Sequence, residues 1–195
     1  MSSTLRRMSA NRDRYLRAIA GFGATVDAID PGGWDAASPC TDWTARDVAG
    51  HVIAIQHSII ATIAGERSPM NPMKDPGRHA GTDPVAAWRA AVAAIVDAVG
   101  DDEVLARVVT TWRGDITVDE MLGYNVGDTT IHTWDLARAG GVDDHLDPEL
   151  VKAVLALYAA MADVMAGTKM FGERLDVAAE ADPQTRLLAI VGRAG

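Results

Sequence analysis

The sequence predicts an all-α fold, an up-and-down four-helix bundle with a long crossover loop and extra C-terminal helices. Composition supports this prediction, because 48% of the residues are hydrophobic but only 5% are aromatic, and such an alanine-rich chain favours packed helices. Capped segments of helical length follow one another, and one long irregular segment separates the second from the third. A chain of 195 residues can bury a sizeable core, so we expect a single domain over residues 1–195.

The first two helices have clear boundaries. Apolar residues recur at every third or fourth position of the first one, namely Tyr15, Ile19, Phe22, Val26 and Ile29. This spacing predicts a helix from about Met8 to Ile29, which the Asp-Pro-Gly-Gly-Trp stretch at 30–34 ends. The second helix begins after Thr44, which forms a weak capping box with Asp47, and continues to about Ala64.

The crossover loop covers residues 65–84 and contains four prolines and three glycines. Loops of that length are usually functional or mobile. Asp83 and Pro84 fit the N-cap and first position of a third helix that ends near Gly100. The β-branched residues around the Arg-Gly-Asp sequence at 113–115 then predict a short β-hairpin or an extended link.

The fourth helix opens with a full capping box from Thr117 to Glu120 and closes at the paired glycines 140–141. The Asp-Pro pair at 147–148 opens a fifth helix that extends to about residue 166. A second Asp-Pro pair at 182–183 opens one more short helix. These last helices are additions to the predicted four-helix core.

Charge and composition exclude several classes of function. The net charge of −9 and a pI near 4.9 repel nucleic-acid phosphates and anionic membrane surfaces, so we expect neither partner. The sequence shows neither a signal-peptide core nor an apolar run of membrane-spanning length, which predicts a cytoplasmic protein. Cys40 is the only cysteine, so a metal site must use histidines and carboxylates.

Polar residues occupy the inward stripe of the fourth helix. At about 100° per residue, Asn125, Asp128, His132 and Asp135 fall on one face together with apolar neighbours. His51 lies at the edge of the buried stripe of the second helix. Two histidines and a carboxylate from two facing helices form the ligand set of a divalent metal site that keeps positions open for substrate.

A purely structural interpretation competes with this one. Asp128 and His132 could form a buried hydrogen-bonded pair, although an aspartate with two histidines and no cation is an expensive arrangement. Asp135 either accepts a hydrogen bond from His132 or forms a surface or interhelical salt bridge. For Asn125, we expect a buried interhelical hydrogen bond rather than contact with a ligand.

Other chemically notable residues have structural explanations. Cys40 lies in a loop with no inward histidine next to it in sequence, so we expect a small packed residue rather than a nucleophile. Arg46 is expected to be solvated or paired with Asp42 or Asp47. Core packing is the expectation for three tryptophans that could also wall a pocket: Trp43, Trp112 and Trp134.

Three stretches carry a family resemblance: SPCTDWTARDVAGHV at 38–52, DTTIHTWDLARAGG at 128–141 and ADPQTRLLAIVGR at 181–193. They resemble the actinobacterial mycothiol-dependent maleylpyruvate isomerase-like proteins, in the wider DinB/YfiT-like metalloenzyme superfamily. The resemblance implies a four-helix core with a divalent metal, commonly zinc, held by His51, Asp128 and His132. We keep nickel as the alternative cation. The characterised isomerase has Glu where this chain has Asp128, and it has a C-terminal domain for which this chain has no room.

The expected function follows from the open metal position. A divalent cation lowers the pKa of a bound thiol, and the resemblance implies mycothiol as a co-substrate. We therefore expect a metal-dependent thiol transferase or a thiol-assisted isomerase, with a small-molecule thiol and a small electrophile as partners. A non-catalytic bundle that binds a metal or small molecule is the alternative, and a homodimer is as compatible with the sequence as a monomer.

Overall fold

The computed structural model describes residues 9–161 and 172–195. These residues are mostly helical with one two-stranded antiparallel sheet, which confirms the all-α expectation. The helices are α1 Ala10–Ala28, α2 Ala45–Ala64, α3 Pro84–Ala98, α4 Asp102–Leu105, α5 Val118–Gly140, α6 Pro148–Ala160 and α7 Pro183–Ile190. The strands are β1 Val108–Thr111 and β2 Gly114–Thr117. The predicted start at Met8 and the predicted continuation of the fifth helix over 162–166 lie outside the described residues.

The helix boundaries follow the predicted caps. Thr44 and Thr117 each form a complete capping box at the start of α2 and of α5. In each box the threonine hydroxyl accepts from the backbone N–H three residues later, and the carboxylate of that residue accepts from the threonine N–H. Gly65 and Gly141 end these two helices in the left-handed region, with φ of 73° and 66°, which glycine adopts without strain. The two helices that carry the candidate site residues are therefore fixed by local sequence.

Four long helices form the bundle. Helix α1 packs along α5, α2 packs against both α3 and α5, and α1 also contacts α3. The core of the bundle includes a tilted ring contact between Phe22 of α1 and Trp88 of α3, whose centroids lie 4.7 Å apart. By length and composition α2 alone among the described helices could cross a membrane, but 61% of that stretch is buried inside the protein. This degree of burial fits a helix in the core of the bundle.

The crossover loop packs closely on α2. It contains a 3-10 turn, Pro76–His79, and the backbone N–H of Gly77 donates to Asp47 Oδ1 at 3.0 Å. A Cβ on Gly50 would lie 2.0 Å from the Pro76 carbonyl oxygen, so this approach requires glycine. The capping residue of α2 thus also anchors the loop.

The predicted hairpin is present, with Val108 opposite Thr117 and Thr111 opposite Gly114. Strand β2 leads directly into α5, so the hairpin stands beside the first turn of that helix. Arg46 is partly solvated, as one of the two expectations had it, but its carboxylate partner is neither Asp42 nor Asp47. Its guanidinium lies 3.5 Å from Asp35 and donates to the Gly81 carbonyl at 2.6 Å, because the Asp47 carboxylate is used by the cap and the loop.

Candidate metal centre

Three predicted site residues meet between α2 and α5. Donor atoms of His51, Asp128 and His132 all lie within 4.8 Å of one another. Asp128 Oδ1 is 3.4 Å from His51 Nε2 and 3.6 Å from His132 Nε2. The two imidazoles stand edge to face, with centroids 4.7 Å apart. The one-turn spacing on α5 and the facing position on α2 bring the side chains together as the sequence pattern predicts.

Each imidazole is held from behind through its other nitrogen. His51 Nδ1 lies 2.9 Å from the Pro72 carbonyl oxygen, in the crossover loop. His132 Nδ1 lies 3.0 Å from Asp135 Oδ2, one turn further along α5. Because both oxygens can only accept, each Nδ1 carries the proton and each Nε2 presents a lone pair to the cluster. Metal-binding histidines are oriented in this way.

The carboxylate between the imidazoles is incompletely satisfied. Asp128 Oδ2 is buried and has no hydrogen-bond partner among the described residues. Burial raises the pKa of Asp128, but the charges of His51 and His132 outweigh burial and bring that pKa below its ordinary value. Burial lowers the pKa of His51, and Asp128 more than reverses this effect. Once the two histidines are neutral, an ionised carboxylate with an unused oxygen lies beside two nitrogen lone pairs, and this set fits a divalent cation.

A second buried cluster adjoins the first. Asp135 is fully buried, and Arg193, which follows α7, donates to it from Nε at 2.8 Å and from Nη2 at 3.1 Å. Burial raises the pKa of Asp135, but bonds from His132 and Arg193 outweigh burial and hold that pKa well below its usual range. Asp135 therefore plays both roles that the sequence left open, as acceptor for His132 and as partner in a long-range salt bridge.

Cys40 is packed, as expected, but it also belongs to this second cluster. Its Sγ lies 3.0 Å from Asp135 Oδ2, 3.0 Å from Arg193 Nη2 and 3.8 Å from His132 Nδ1. Burial and the Asp135 charge raise the pKa of the thiol to about 12, so it stays protonated at neutral pH. Sequence reasoning missed this contact and Arg193. The only available signal was that both residues lie in stretches that carry the family resemblance.

An apolar cavity of about 580 Å³ opens beside the cluster, and Asp128 forms part of its wall. The other walls come from α2, the hairpin, α5, α6 and the loop, and include Ile55, Ile59, Pro72, Ile116, Met121, Asn125, Leu157 and Tyr158. At the hairpin turn, the guanidinium of Arg113 lies over the rings of Trp112 and Tyr124, at 4.6 and 4.4 Å. A small molecule in this cavity would contact Asp128 directly.

Some expectations for the surrounding residues were wrong. Asn125 donates to the Met121 carbonyl of its own helix at 2.8 Å and lines the cavity, and no interhelical bond of Asn125 is present among the described residues. Trp112 is 78% exposed because it occupies the hairpin turn. Trp43 lies against the histidine pair, 5.0 Å from the His51 ring and 6.0 Å from the His132 ring. Trp134 is a core residue, as expected.

Comparison with known proteins identifies the family. The sequence-family model described as the mycothiol maleylpyruvate isomerase N-terminal domain matches residues 15–137. This range includes His51, Asp128 and His132. Uncharacterized proteins from two strains of Mycobacterium tuberculosis are each 29% identical over 182 residues, covering 92% of this chain and 94% of theirs. No solved structure shows significant similarity. The family match spans more than half of the chain, which therefore belongs to the mycothiol maleylpyruvate isomerase N-terminal domain family.

Proposed function

We propose that this protein is a metal-dependent thiol transferase or thiol-assisted isomerase, in which His51, Asp128 and His132 hold a divalent cation. One observation carries the proposal: two Nε2 lone pairs and a carboxylate converge, while Asp128 Oδ2 lacks any other partner among the described residues. Two imidazole nitrogens and a carboxylate oxygen are ligands that catalytic zinc takes, and imidazole also suits nickel. Three protein ligands leave coordination positions for water or substrate.

The chain's own residues prepare the site for a thiol. A divalent cation bound there would lower the pKa of a bound thiol toward neutrality. Pro72 and Asp135 hold the two imidazoles with their Nε2 atoms directed at Asp128. Trp43 lies against both rings, and Asp128 faces the apolar cavity.

The proposed co-substrates are a low-molecular-weight thiol of the mycothiol type and a small electrophile. The family is named for mycothiol, and a cavity of about 580 Å³ is within the size range of small-molecule sites. The acidic surface charge and the buried position of α2 support action in the cytoplasm rather than at a membrane.

A binding bundle without turnover is the second candidate, and the cavity chemistry favours it at one point. Among the described residues that line the cavity, the ionisable side chains are Asp128, Arg113, Tyr124 and Tyr158. Burial and the Asp128 charge raise the pKa of Tyr158, so it stays protonated at neutral pH. With Asp128 used as a ligand, the described part of the cavity wall offers no other carboxylate or imidazole as a general base, which favours sequestration of a ligand over turnover.

The test begins with metal content. Tag-free protein is incubated with zinc, nickel or manganese, dialysed, and analysed by inductively coupled plasma mass spectrometry beside His51→Ala, His132→Ala and His57→Ala. His57 is the matched control because it lies on α2 outside the cluster. We expect about one equivalent of zinc in the parent and in His57→Ala. The other two variants should lose it while keeping the helical circular dichroism of the parent.

Turnover then separates the two candidates. Zinc-loaded protein is mixed with mycothiol and an epoxide, a quinone or an activated aryl halide, and thiol loss is followed. Metal-dependent thiol consumption supports the enzyme. A thiol-assisted isomerase regenerates its thiol, so cis–trans isomerisation of an added activated cis-alkene is followed in parallel and also supports the enzyme. Thiol binding with neither thiol consumption nor isomerisation supports the binding bundle. A parent protein that stays empty with all three cations contradicts the enzyme and a metal-binding bundle alike.

A further inference from the structure

The C-terminal segment reaches the candidate metal centre through one side chain. Arg193 follows α7 and lies outside residues 15–137, which the family model matches. It engages Asp135 at two points, Nε to Oδ1 at 2.8 Å and Nη2 to Oδ2 at 3.1 Å. The Asp135 side chain is fully buried and that of Arg193 is 13% exposed. Because a guanidinium is a rigid planar fork, two bonds to one carboxylate fix its plane as well as its position.

The same carboxylate supports His132. Asp135 Oδ2 lies 3.0 Å from His132 Nδ1, so the rotation of that imidazole depends on how firmly the carboxylate is held. His51 differs, since its Nδ1 bonds to a backbone carbonyl, that of Pro72. One imidazole of the pair is thus oriented by the main chain, and the other depends on a side chain that itself needs support.

The docking of α7 has an apolar basis that does not include the Arg193–Asp135 pair. Leu187, Leu188 and Val191 are almost fully buried and hold this segment by apolar contact. Burying an ion pair costs desolvation that can cancel its attraction, so such a pair is weak evidence for a stabilising role. Orientation of the Asp135 carboxylate, and through it of the His132 imidazole, explains why a guanidinium group occupies this position.

We propose that Arg193 is a positioning residue for the metal centre, acting through Asp135 to hold His132 Nε2 toward Asp128. The C-terminal segment thereby supports the orientation of one ligand, His132, although all three ligands lie within the family-matched part of the chain. This inference rests on the proposed function, namely that His51, Asp128 and His132 bind a divalent cation.

The test measures zinc affinity in the full chain. Parent, Arg193→Met, Arg193→Lys and the control Arg186→Met are titrated at pH 7.5 against a chromophoric chelator, and cobalt(II) absorption spectra report the coordination geometry. Arg186 is exposed on α7 and serves as the matched control. We expect zinc affinity to fall about 10–100-fold in Arg193→Met, as losses of outer-shell partners do, with an altered cobalt spectrum. The zinc affinity of Arg193→Lys should lie between those of the parent and Arg193→Met, because an ammonium group cannot form the two-point contact with the Asp135 carboxylate.

The outcomes separate this inference from the proposed function. A parent that binds neither zinc nor cobalt overturns the proposed function and the inference with it. A parent that binds zinc, with an unchanged affinity and cobalt spectrum in Arg193→Met, overturns the inference alone, even if that variant melts at a lower temperature. If Arg193→Met does not fold, the Arg193→Lys affinity decides: a loss relative to Arg186→Met supports the inference and an unchanged value overturns it.

Discussion

At the scale of single residues, Asp128 determines which interpretation of the cluster holds. If the cluster is a cation site, the metal-free protein holds an ionised Asp128 carboxylate between two imidazoles. Their Nδ1 atoms already donate to other oxygens and are not available to Asp128. If the cluster is only structural, His51 stays protonated and forms a permanent salt bridge with Asp128, which stabilises the fold equally at acidic and at alkaline pH. The two interpretations differ in what an amide at position 128 does to stability.

We predict a pH-dependent effect of Asp128→Asn in the presence of a chelator. The pKa of His51 is raised in the folded protein. Its pairing with Asp128 therefore stabilises the fold below about pH 6.5, and this contribution is lost as pH rises through the folded pKa. At pH 6 the variant should be less stable by about 1–3 kcal/mol. At pH 8.5 the difference should disappear or reverse, because the amide can donate to a neutral Nε2.

Urea unfolding with EDTA at the two pH values measures this effect. The exposed Asp97 provides the control, since Asp97→Asn should change stability little at either pH. A loss of about 3 kcal/mol or more that is equal at both pH values would contradict the cation-site interpretation and support a permanent buried ion pair. Asp128→Asn should also abolish zinc binding under conditions in which the parent binds.

At the scale of elements, the contact between α2 and the crossover loop sets the position of His51. Gly50 lets the Pro76 carbonyl approach the helix, and the same loop supplies the Pro72 carbonyl to the His51 ring. Gly21, on α1, has nothing within 4 Å of the position of an added Cβ. Two helical glycines thus offer a matched pair of substitutions.

We predict opposite effects for Gly50→Ala and Gly21→Ala. Gly21→Ala should raise the free energy of unfolding by about 0.5–1 kcal/mol, because alanine loses less backbone entropy in a helix. Gly50→Ala should lower it by about 1–3 kcal/mol, because backbone atoms of the loop must move. It should also weaken zinc binding, since the loop carries the acceptor for His51. Urea denaturation and zinc titration check both variants, and a stabilised Gly50→Ala with unchanged zinc affinity would contradict the loop's role.

The elements also show what the sequence could predict. Helix caps at Thr44 and Thr117 and the hairpin are local signals, and all three predictions were confirmed. The juxtaposition of His51 with Asp128 and His132 followed from helical spacing and the buried stripe of α2. The Arg193 contact could not be predicted in this way, because it joins residues 58 positions apart through a segment with no periodic relation to α5. Asn125 was misjudged because its own helix offered an acceptor.

At the scale of the whole molecule, the candidate centre joins parts of the chain that are distant in sequence. His51 belongs to α2, Asp128 and His132 belong to α5, and their supports come from the crossover loop and from the segment after α7. A ligand that binds only when these parts are assembled stabilises the folded state by mass action. Metal binding should therefore be visible as global stability.

We predict that zinc raises the melting temperature of the metal-free protein. At a free concentration one hundred times its dissociation constant, the added stability is about 2.7 kcal/mol, or roughly 5–10 °C for a chain of this size. His51→Ala should show no such shift, and magnesium should have little effect on the parent because it prefers oxygen ligands. Differential scanning calorimetry with and without each cation measures the shift, and EDTA should reverse it. An equal zinc shift in His51→Ala would mean that the cation binds elsewhere, and the three-residue centre would lose its main support.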